Sequence, residues 1–353
     1  MKGLVLSGGS GSRLRPFTFS FPKQLIPVGN KPVLHHCLEN LRDIGVREVG
    51  VVIGGFGEEI RESVGDGSAF GLRITYIHQD EPLGLAHCVS IARDFLGEDD
   101  FVMYLGDNIL ADGVHETARI FEEQRPHACV TTAKVDDPSQ YGIVELDHEG
   151  RVLSFQEKPA EPRGDHAIVG VYFFTSVIHE AVANIRPSAR GELEITDALQ
   201  YLIEQGALIR SHEYSGFWRD TGTIDDLLDC NRRLLAPTLF ERSGAVDEDS
   251  VLTGGVRLEA GACVVRSHIE GPVIVGAGSV IEDSYVGPNT AVGEDCELTG
   301  AEIAESVVLR GARISGARGI RNSLIGRGAQ VRGGHTGSHR LLIGDLSRVE
   351  VSS

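Results

Sequence analysis

Residues 3–16 read GLVLSGGSGSRLRP, and this stretch decides the fold of the amino-terminal part of the chain. Its apolar run at residues 4–6 stops at a segment of glycine and serine, a pattern that predicts a buried strand leading into a glycine loop. Glycines let backbone N–H groups approach a phosphate chain closely, and Arg13, Arg15 and Lys23 add positive charge nearby. The segment is therefore a candidate triphosphate-binding loop.

Two familiar glycine-loop motifs do not match this sequence. The P-loop pattern GxxxxGK[ST] needs a Lys-Ser/Thr pair that is absent here. The dinucleotide fingerprint GxGxxG fits Gly9 and Gly11 but meets Leu14 where its third glycine belongs. Taken alone, the loop could still be an ordinary strand-to-helix turn.

The length and charge of the chain limit the classes of protein it can be. A chain of 353 residues predicts two domains. Its formal net charge of -18 argues against binding a nucleic acid polymer, because most of the surface would repel a phosphate backbone. A single nucleotide remains possible where a few cations, including Lys31, are focused in one cleft.

The chain also lacks the sequence signals of export and membrane insertion. No signal peptide is visible, and no run approaches the roughly 20 apolar residues that span a membrane. The six cysteines contain no CxxC pair, so neither a zinc site nor a disulfide framework is expected. We therefore expect a cytoplasmic protein that makes no contact with membranes.

Residues 1 to about 235 alternate short apolar runs with helical patterns. Strands are predicted at residues 4–6, 49–55, 72–77 and 101–107, and helices at residues 32–41, 58–64, 85–95 and 116–124. This alternation predicts an α/β, Rossmann-like domain with a mostly parallel sheet, helices on both faces and ligands beyond the carboxyl ends of the strands. Four segments rich in β-branched and aromatic residues between about 128 and 175 predict antiparallel strands.

Several polar residues follow these predicted strands. Gln79 carries an amide that can both donate to and accept from a base edge, and Gly84 permits close approach of a flat ring. Asp107 follows an apolar strand, where a carboxylate can hold Mg²⁺ against phosphates. Taken singly, a loop Gln is more often solvated and a lone Asp more often a helix N-cap or turn residue.

The combination of motifs resembles one enzyme family. GGSGSRLRP followed by FPKQLIPV is similar to the signature of the sugar-1-phosphate nucleotidyltransferases, GGxG[ST]RLxP and then PKxLxPV. QDEPLGLAHC, LGDN, YGIVE with EKP, SARGELEITD and FWRDTG also match family motifs. Departures are mild, with Ser7 where the family often has Ala and Ser12 where it often has Thr. The set looks like the longer, carboxy-terminally extended members that use dTTP.

The resemblance implies roles for individual residues. It implies nucleotide binding by Leu6, Gly8, Gly9, Gly11, Ser12, Arg13, Gln79, Pro82, Gly84 and Asp107. It implies sugar-phosphate binding by Asn108, Gly142, Glu157, Lys158, Val169, Tyr172, Glu194 and Trp218. Catalytic roles would fall on Arg13, Lys23, Asp107 and Lys158, and one Mg²⁺ would lie on Asp107 and Asp220.

The implied activity joins dTTP and glucose 1-phosphate to give dTDP-glucose and pyrophosphate, for deoxysugar biosynthesis. UTP with glucose or an N-acetylhexosamine 1-phosphate is the nearest alternative, because thymine differs from uracil by one methyl group. A non-catalytic sensor of nucleotide sugars is a third reading, but it predicts damaged phosphate and metal residues. This sequence retains every phosphate-binding and metal-binding residue of the family that can be matched.

Two further expectations concern the sugar side. The segment at 188–197 predicts a helix with Glu192 and Glu194 in its first turn and Leu193, Ile195, Leu199 and Leu202 on its apolar side. The resemblance places a sugar-side subdomain at about 128–220, inside a nucleotidyltransferase domain at 1–236.

The tail at 237–353 follows a different rhythm. Aliphatic residues recur every six positions at Ile274, Val280, Val286, Val292 and Leu298, and the rhythm loses register afterwards. Such repeats predict a parallel β-helix whose repeated aliphatic residues point inward, and the resemblance implies the left-handed form. The final segment at 341–351 is expected to return as an extended strand.

The role of the tail is open between two readings. An oligomerisation platform is favoured, which predicts a homo-oligomer. An acyltransferase with His268 or His335 as base is the sharper alternative, although neither histidine lies in a recognisable signature.

Overall fold

A computed structural model describes residues 1–9, 11–148, 150–333 and 337–351. The chain divides into two compact units, one made of Met1–Gly9 with Val33–Asp220 and the other of Ser10–Pro32 with Thr221–Ser353. The predicted boundary after residue 236 lies inside the second unit and stays a prediction.

The helices of the described residues all precede the tail. They are α1 (Val33–Asp43), α2 (Gly57–Val64), α3 (Leu85–Ile91), α4 (Arg93–Leu96), α5 (His115–Gln124), α6 (Ile178–Asn184), α7 (Ile195–Glu204) and α8 (Ile224–Leu235). In the described part of the chain, no helix is both long and apolar enough to span a bilayer.

The strands before the tail include two short ones in the second unit, β2 and β3. The set is β1 (Lys2–Leu6), β2 (Pro27–Val28), β3 (Lys31–Pro32), β4 (Glu48–Ile53), β5 (Arg73–His78), β6 (Phe101–Leu105), β7 (Asn108–Leu110), β8 (Ala128–Lys134), β9 (Gly142–Leu146), β10 (Val152–Glu157), β11 (His166–Phe174), β12 (Ile209–Glu213) and β13 (Trp218–Asp220).

The first unit is built on one nine-stranded sheet. Its path runs β10-β9-β11-β6-β1-β4-β5, with β8 paired to β11 and β12 paired to β8. Strand β1 lies between β6 and β4 and is parallel to both, so Leu4 pairs with Met103 on one side and with Gly50 on the other. The predicted Rossmann-like core is therefore confirmed, and its functional edge is the one where β1, β4, β5 and β6 end.

The predicted antiparallel strands join this same sheet. Strand β11 is antiparallel to β6, β8 and β9, and β9 is antiparallel to β10. Strand β12, which the sequence did not predict, adds in parallel to β8. Buried aromatic rings, among them Tyr172 and Phe174, and the apolar face of α7 form the core on this side.

Two helix predictions are corrected. The helix predicted at 85–95 is interrupted at Ala92, so α3 and α4 are separate. The helix predicted from residue 188 begins only at Ile195, with Glu194 at its N-cap in an extended conformation (φ -80°, ψ 137°). Placing Glu192 and Glu194 in the first helical turn was wrong, because residues 188–192 form a separate hydrogen-bonded turn and Leu193 hydrogen-bonds the backbone of another loop.

The tail is a parallel β-helix. Its strands form three parallel sheets from β14 (Glu241–Arg242), β15 (Ala245–Val246), β16 (Val251–Thr253), β17 (Val256–Leu258), β18 (Cys263–Val265), β19 (His268–Glu270), β20 (Val273–Val275), β21 (Val280–Glu282), β22 (Tyr285–Val286), β23 (Thr290–Val292), β24 (Glu297–Thr299), β25 (Glu302–Ala304), β26 (Val307–Val308), β27 (Arg313–Ser315), β28 (Ile320–Arg321), β29 (Leu324–Ile325), β30 (Gln330–Gly333), β31 (Leu342–Ile343) and β32 (Arg348–Val351). The final segment thus returns as two short strands of the β-helix and not as one extended strand. The left-handed form stays a prediction.

The six-residue rhythm assigned two aliphatic residues to the wrong side. Val286, Val292 and Leu298 are fully buried in the β-helix core, as predicted, but Val280 is 37% exposed and its neighbour Ile281 points inward instead. Ile274 packs outside that core, against Leu235 of α8 and Ala291.

The length of a coil explains this error. Ile269 pairs with Val286, and Val286 in turn pairs with Ile303, so each of these coils is one position shorter than three repeats of six. Val292 pairs with Val308, so that coil is two positions shorter than three repeats of six. Counting by six therefore drifts off the core positions from one coil to the next.

Candidate active site

The carboxyl ends of β1, β4 and β5 converge on Gly8. A Cβ atom built on Gly8 would lie 2.8 Å from Oε1 of Gln79, and one built on Gly54 would lie 3.5 Å from the carbonyl oxygen of Gly8. A side chain at position 8 would therefore displace the amide of Gln79 from its observed position. The structure brings Gly8 and Gln79, two predicted nucleotide-binding residues, together.

The side chain of Gln79 is held in place. It is 8% exposed, and its amide nitrogen lies 3.1 Å from Nδ1 of His87 and 3.2 Å from Sγ of Cys88, both on α3. Burial raises the pKa of the Cys88 thiol to about 12, so this sulfur stays protonated at neutral pH. Neither His87 nor Cys88 was among the predicted site residues, because their roles depend on packing against Gln79.

A second close approach joins β1 to β6. The amide of Gly106 donates to the carbonyl of Leu6 at 2.9 Å, and a Cβ on Gly106 would lie 2.8 Å from Oγ of Ser7. Within the described part of the chain, the buried Ser7 hydroxyl has no hydrogen-bond partner. A buried polar atom normally has one, so this hydroxyl is an exception that lies where the strands end. Leu6 itself is buried, and Gly9 is exposed.

The loop after Gln79 packs against the segment that precedes α7. Leu193 N donates to the Leu83 carbonyl at 2.8 Å, and Ala86 N donates to the Leu193 carbonyl at 3.0 Å. Gly84 has φ 106°, and a Cβ there would lie 2.4 Å from the Leu193 oxygen. The need for glycine at 84 thus comes from the backbone of Leu193, while contact with a base ring stays a prediction. Pro82 is exposed.

The rest of the glycine loop belongs to the second unit. Gly11 has φ 62°, and a Cβ there would lie 2.8 Å from the Thr18 side chain and 3.3 Å from Cβ of Lys23. Thr18 Oγ1 donates to the Gly11 carbonyl at 2.7 Å and fixes this turn. Ser12 and Arg13 are exposed on a short 3₁₀ turn. The structure therefore places Gly11 next to Lys23, while phosphate binding by this loop stays a prediction.

The two predicted metal ligands lie at neighbouring positions of a two-stranded sheet. Strand β13 is antiparallel to β7, and Asp220 pairs directly with Asn108. Asp107 immediately precedes Asn108, and both aspartates are half-buried. The pairing of β7 with β13 therefore brings Asp220 to a backbone position next to Asp107, more than a hundred residues away in sequence.

A chain of hydrogen bonds orients Asp107. Nε1 of Trp218 donates to Oδ1 of Asn108 at 2.7 Å, and Nδ2 of Asn108 donates to Oδ1 of Asp107 at 2.9 Å. Trp218 is 7% exposed and meets the ring of Tyr141 edge-on, with centroids 5.5 Å apart. The prediction had placed Trp218 and Asn108 against the sugar phosphate. The contacts observed here are with each other and with Asp107, and contact with sugar stays a prediction.

The charge of Asp107 also acts on α1. Cys37 Sγ lies 3.4 Å from the carbonyl of Asn108, and burial, with a smaller contribution from Asp107, raises the pKa of this thiol well above its usual value. Cys37 therefore remains a neutral thiol beside the carboxylate and does not compete with it for a cation.

The carboxylates suit Mg²⁺. Their donor atoms are oxygens, and Mg²⁺ in phosphate-transferring sites typically takes one or two carboxylates and completes its shell with water and phosphate oxygens. No group of three or more His, Cys, Asp or Glu side chains poised for a metal occurs among the described residues. Asp107 and Asp220 would therefore supply only part of the coordination shell.

On the sugar side, Glu157 is the centre of a polar cluster. Its carboxylate accepts from Thr196 Oγ1 at 3.1 Å and from Nη1 of Arg190 at 3.1 Å, and Gly142 leaves room for it, since a Cβ there would lie 3.3 Å from Oε2. Gly142 and Glu157 also pair across β9 and β10. The structure thus brings these two predicted residues together.

Glu194 belongs to the same cluster. It is 3% exposed and accepts a hydrogen bond from Ser188 Oγ at 2.9 Å. Burial raises the pKa of the Glu194 carboxyl, and the Ser188 hydrogen bond and Arg190 partly offset this effect. Arg190 lies 3.1, 3.2 and 3.6 Å from Glu157, Glu192 and Glu194. Sequence reasoning missed Arg190, which balances three carboxylates.

The remaining predicted sugar contacts differ in burial. Lys158 is exposed, with φ 39°, and its backbone amide donates to the Tyr141 carbonyl at 3.0 Å. Val169 and Tyr172 are buried, and Tyr172 belongs to the apolar core. Burial, and secondarily the charge of Glu157, raises the pKa of Tyr172 far above its usual value, so its hydroxyl stays protonated.

Of the two histidines considered for acyl transfer, only His268 lies among the described residues. His268 is exposed on β19 and meets Tyr285 edge-on, with centroids 5.5 Å apart. His335 lies outside the described residues.

Comparison with known proteins identifies the class. The sequence profile described as nucleotidyl transferase matches residues 2–236, and the chain belongs to this family. It is a nucleotidyltransferase.

The similarity to two particular relatives extends over the whole chain. The glucose-1-phosphate thymidylyltransferase of Streptomyces griseus is 52% identical over 355 residues, covering 100% of both chains. The enzyme of the same name from Streptomyces antibioticus is 50% identical over 356 residues, again covering 100% of both.

A solved structure from Bacillus anthracis, described as a glucose-1-phosphate thymidylyltransferase in complex with sucrose, has a TM-score of 0.63 and 34% identity, covering 69% of this chain and 98% of that one. A UDP-glucose pyrophosphorylase complexed with UDP-glucose has a TM-score of 0.60 but 21% identity, covers 66% of this chain and 97% of that one, and shows the fold alone.

Proposed function

We propose that this nucleotidyltransferase transfers the thymidylyl group of dTTP to glucose 1-phosphate, giving dTDP-glucose and pyrophosphate for deoxysugar biosynthesis. The observation that carries the proposal is the pairing of Asp220 with Asn108 beside Asp107. That pairing supports a site in which both carboxylates serve phosphoryl transfer, because it places Asp220 next to Asp107 along the paired strands. The choice of nucleotide and sugar is supported by two full-length relatives named as thymidylyltransferases, which share 52% and 50% sequence identity with this chain.

The reaction needs no protein nucleophile. A phosphate oxygen of glucose 1-phosphate attacks the α-phosphorus of dTTP, a new oxygen–phosphorus bond forms, and the bond to the bridging oxygen of the β-phosphate breaks. The attacking oxygen is already anionic, so no proton has to be removed. Catalysis then depends on positioning and on charge neutralisation.

Individual residues take the following parts in the proposal. Arg13 and Lys23 neutralise the charge that develops on the pyrophosphate, and Lys158 binds the phosphate of the attacking sugar. Asp107 and Asp220 would hold Mg²⁺, which would neutralise phosphate charge.

Substrate recognition in this proposal uses polar groups that are buried or half-buried. Gln79 would bind the edge of the base, supported by its fixed position over Gly8. Glu157 and Glu194 would accept hydrogen bonds from the sugar hydroxyls. We further propose a cytoplasmic homo-oligomer, supported by the β-helix, whose stacked coils offer flat surfaces for self-association.

The test is pyrophosphate release with Mg²⁺ and glucose 1-phosphate, comparing dTTP, UTP, ATP, CTP and GTP at equal concentration. We expect dTTP to be used fastest, with a margin over UTP of about 10- to 200-fold, as one methyl group in a pocket allows. With dTTP labelled at the α-phosphorus, the label should appear in the sugar nucleotide. Preference for UTP would overturn the choice of nucleotide, and absence of release with every nucleotide would overturn the activity.

A further inference from the structure

The segment that carries Arg13 and Lys23 is bound to the β-helix within the second unit. Oγ of Ser20 donates to Oδ2 of Asp345 at 2.9 Å, and Nη2 of Arg327 donates to the Ser20 carbonyl at 3.3 Å. The guanidinium of Arg327 also stacks on the ring of Phe21, with 3.8 Å from its central carbon to the ring centroid. One end of the β-helix therefore holds the residues just before Lys23.

Arg327 and Asp345 are themselves fixed. Nη2 and Nε of Arg327 lie 2.6 and 2.8 Å from Oδ2 of Asp345, and the backbone amide of Arg327 donates to Oδ1 at 2.8 Å. The Asp345 side chain is only 8% exposed. A carboxylate that accepts three bonds from one residue and a fourth from Ser20 has little freedom, so the pair can act as a rigid support.

The same segment is fixed again after Lys23. Nδ2 of Asn30 donates to the Val292 carbonyl of β23 at 2.7 Å. The amide of Gly29 donates to Oδ1 of Asn231 at 3.0 Å, and Nδ2 of Asn231 donates to the Asn289 carbonyl at 2.9 Å. Lys23 thus lies between two attachments to the β-helix and α8, one at residues 20–21 and the other at residues 29–30.

We infer that Arg327 and Asp345 are positioning residues for the triphosphate-binding segment. The β-helix then does more than offer a surface for self-association, because its coils support the chain that presents Lys23 and Arg13. This inference rests on the proposed function for the role of those two cations. Neither residue needs to touch a substrate, since both act through Ser20 and Phe21.

The experiment compares Arg327→Met with the wild-type protein and with Arg266→Met. Arg266 is a matched control because it makes ion pairs with Glu282 and Asp283 on the same β-helix and, among the described residues, has no bond to the segment at 11–32. Amide hydrogen exchange would be followed at Leu25 and Ile26, whose amides donate to Pro22 and Lys23 at 3.0 and 3.1 Å. Steady-state kinetics would be measured with dTTP and with glucose 1-phosphate as the varied substrate.

In Arg327→Met we expect faster exchange at Leu25 and Ile26 and a loss of about 10- to 100-fold in kcat/KM for dTTP, the range typical of residues that orient functional groups. The KM for glucose 1-phosphate should change little. Arg327→Lys should recover part of the loss, because lysine keeps a positive charge opposite the Asp345 carboxylate. Wild-type values of exchange and kcat/KM in Arg327→Met, or equal effects in Arg266→Met, would overturn the inference.

A second variant guards against misfolding. Ser20→Ala removes only the hydroxyl that Asp345 accepts from, and should shift exchange and kcat/KM in the same direction by a smaller factor. If wild-type protein releases no pyrophosphate, the proposed function fails. Hydrogen exchange still decides whether the support exists, so the two failures are distinguishable.

Discussion

The indole nitrogen of Trp218 donates to the side-chain oxygen of Asn108 at 2.7 Å, and through that amide it determines the orientation of Asp107. The bond is buried and joins residues 110 positions apart in sequence. An Asn side chain held at both its oxygen and its nitrogen has one rotamer, so Asp107 presents its remaining carboxylate lone pairs in a fixed direction.

The first prediction removes this indole donor. Trp218→Phe keeps an aromatic ring but leaves Asn108 able to rotate, so we expect the concentration of Mg²⁺ that gives half-maximal activity to rise about 10- to 100-fold. Direct binding of Mn²⁺ in the presence of dTTP, measured by calorimetry, should weaken in parallel. The control is Tyr76→Phe, which also removes one aromatic donor, here to the Gly65 carbonyl, away from the carboxylates. Unchanged metal dependence in Trp218→Phe would show that Asp107 needs no such support.

The second prediction concerns the carboxylates. Asp107→Asn and Asp220→Asn should each lower turnover about 100-fold or more, because electrostatic stabilisation of the phosphates is the main source of catalysis in the proposed mechanism. Both variants should keep the wild-type melting temperature, since neither changes side-chain volume. Asp165→Asn, an exposed aspartate beside His166, is the matched control. Near-normal turnover in either site variant would contradict its assignment as a metal ligand.

Local patterns predicted the parts of the site that depend on neighbours in sequence. The strand before Gly8 and the strand before Asp107 could be read directly, because an apolar run followed by glycine has few other meanings. Arg190, His87 and the bond between Trp218 and Asn108 could not be read, since each depends on contacts across the fold. Val280 was misassigned for a related reason, because the length of each coil is set by pairing between coils and not by a local period of six.

The third prediction compares Gly84 with Gly191. Both glycines have a positive φ, but only Gly84 lies against the backbone of Leu193. Gly84→Ala would place a Cβ 2.4 Å from the Leu193 oxygen, whereas nothing lies within 4 Å of a Cβ at Gly191. Both variants carry the backbone strain of about 1–3 kcal/mol expected at such angles. Only Gly84→Ala should also displace the loop after Gln79, lower the melting temperature further and raise the KM for dTTP. Equal effects of the two variants would refute a special role for the contact with Leu193.

The fourth prediction follows from the buried Glu194. Burial raises its pKa in the folded protein, so the folded state favours the protonated form and loses that advantage as the pH rises through the folded pKa. Glu194→Gln, which cannot ionise, should therefore gain stability relative to wild type between pH 4 and pH 7.5. The difference in melting temperature, measured across this range, gives the sign directly. A constant difference would mean that the Ser188 bond and Arg190 fully compensate the burial.

The fifth prediction tests the balance that Arg190 provides among Glu157, Glu192 and Glu194. Burial raises the pKa of Glu194 and the positive charge of Arg190 opposes that shift, so Arg190→Met should raise the pKa further and move the acidic limb of kcat/KM for glucose 1-phosphate to higher pH. The titration of the substrate itself is common to all variants and cancels in the comparison. Arg186→Met, an exposed arginine four residues earlier, is the control and should leave the profile in place. If both variants give the wild-type profile, Glu194 does not depend on Arg190 for its ionised state, and its role in binding the sugar hydroxyls must be independent of this cation.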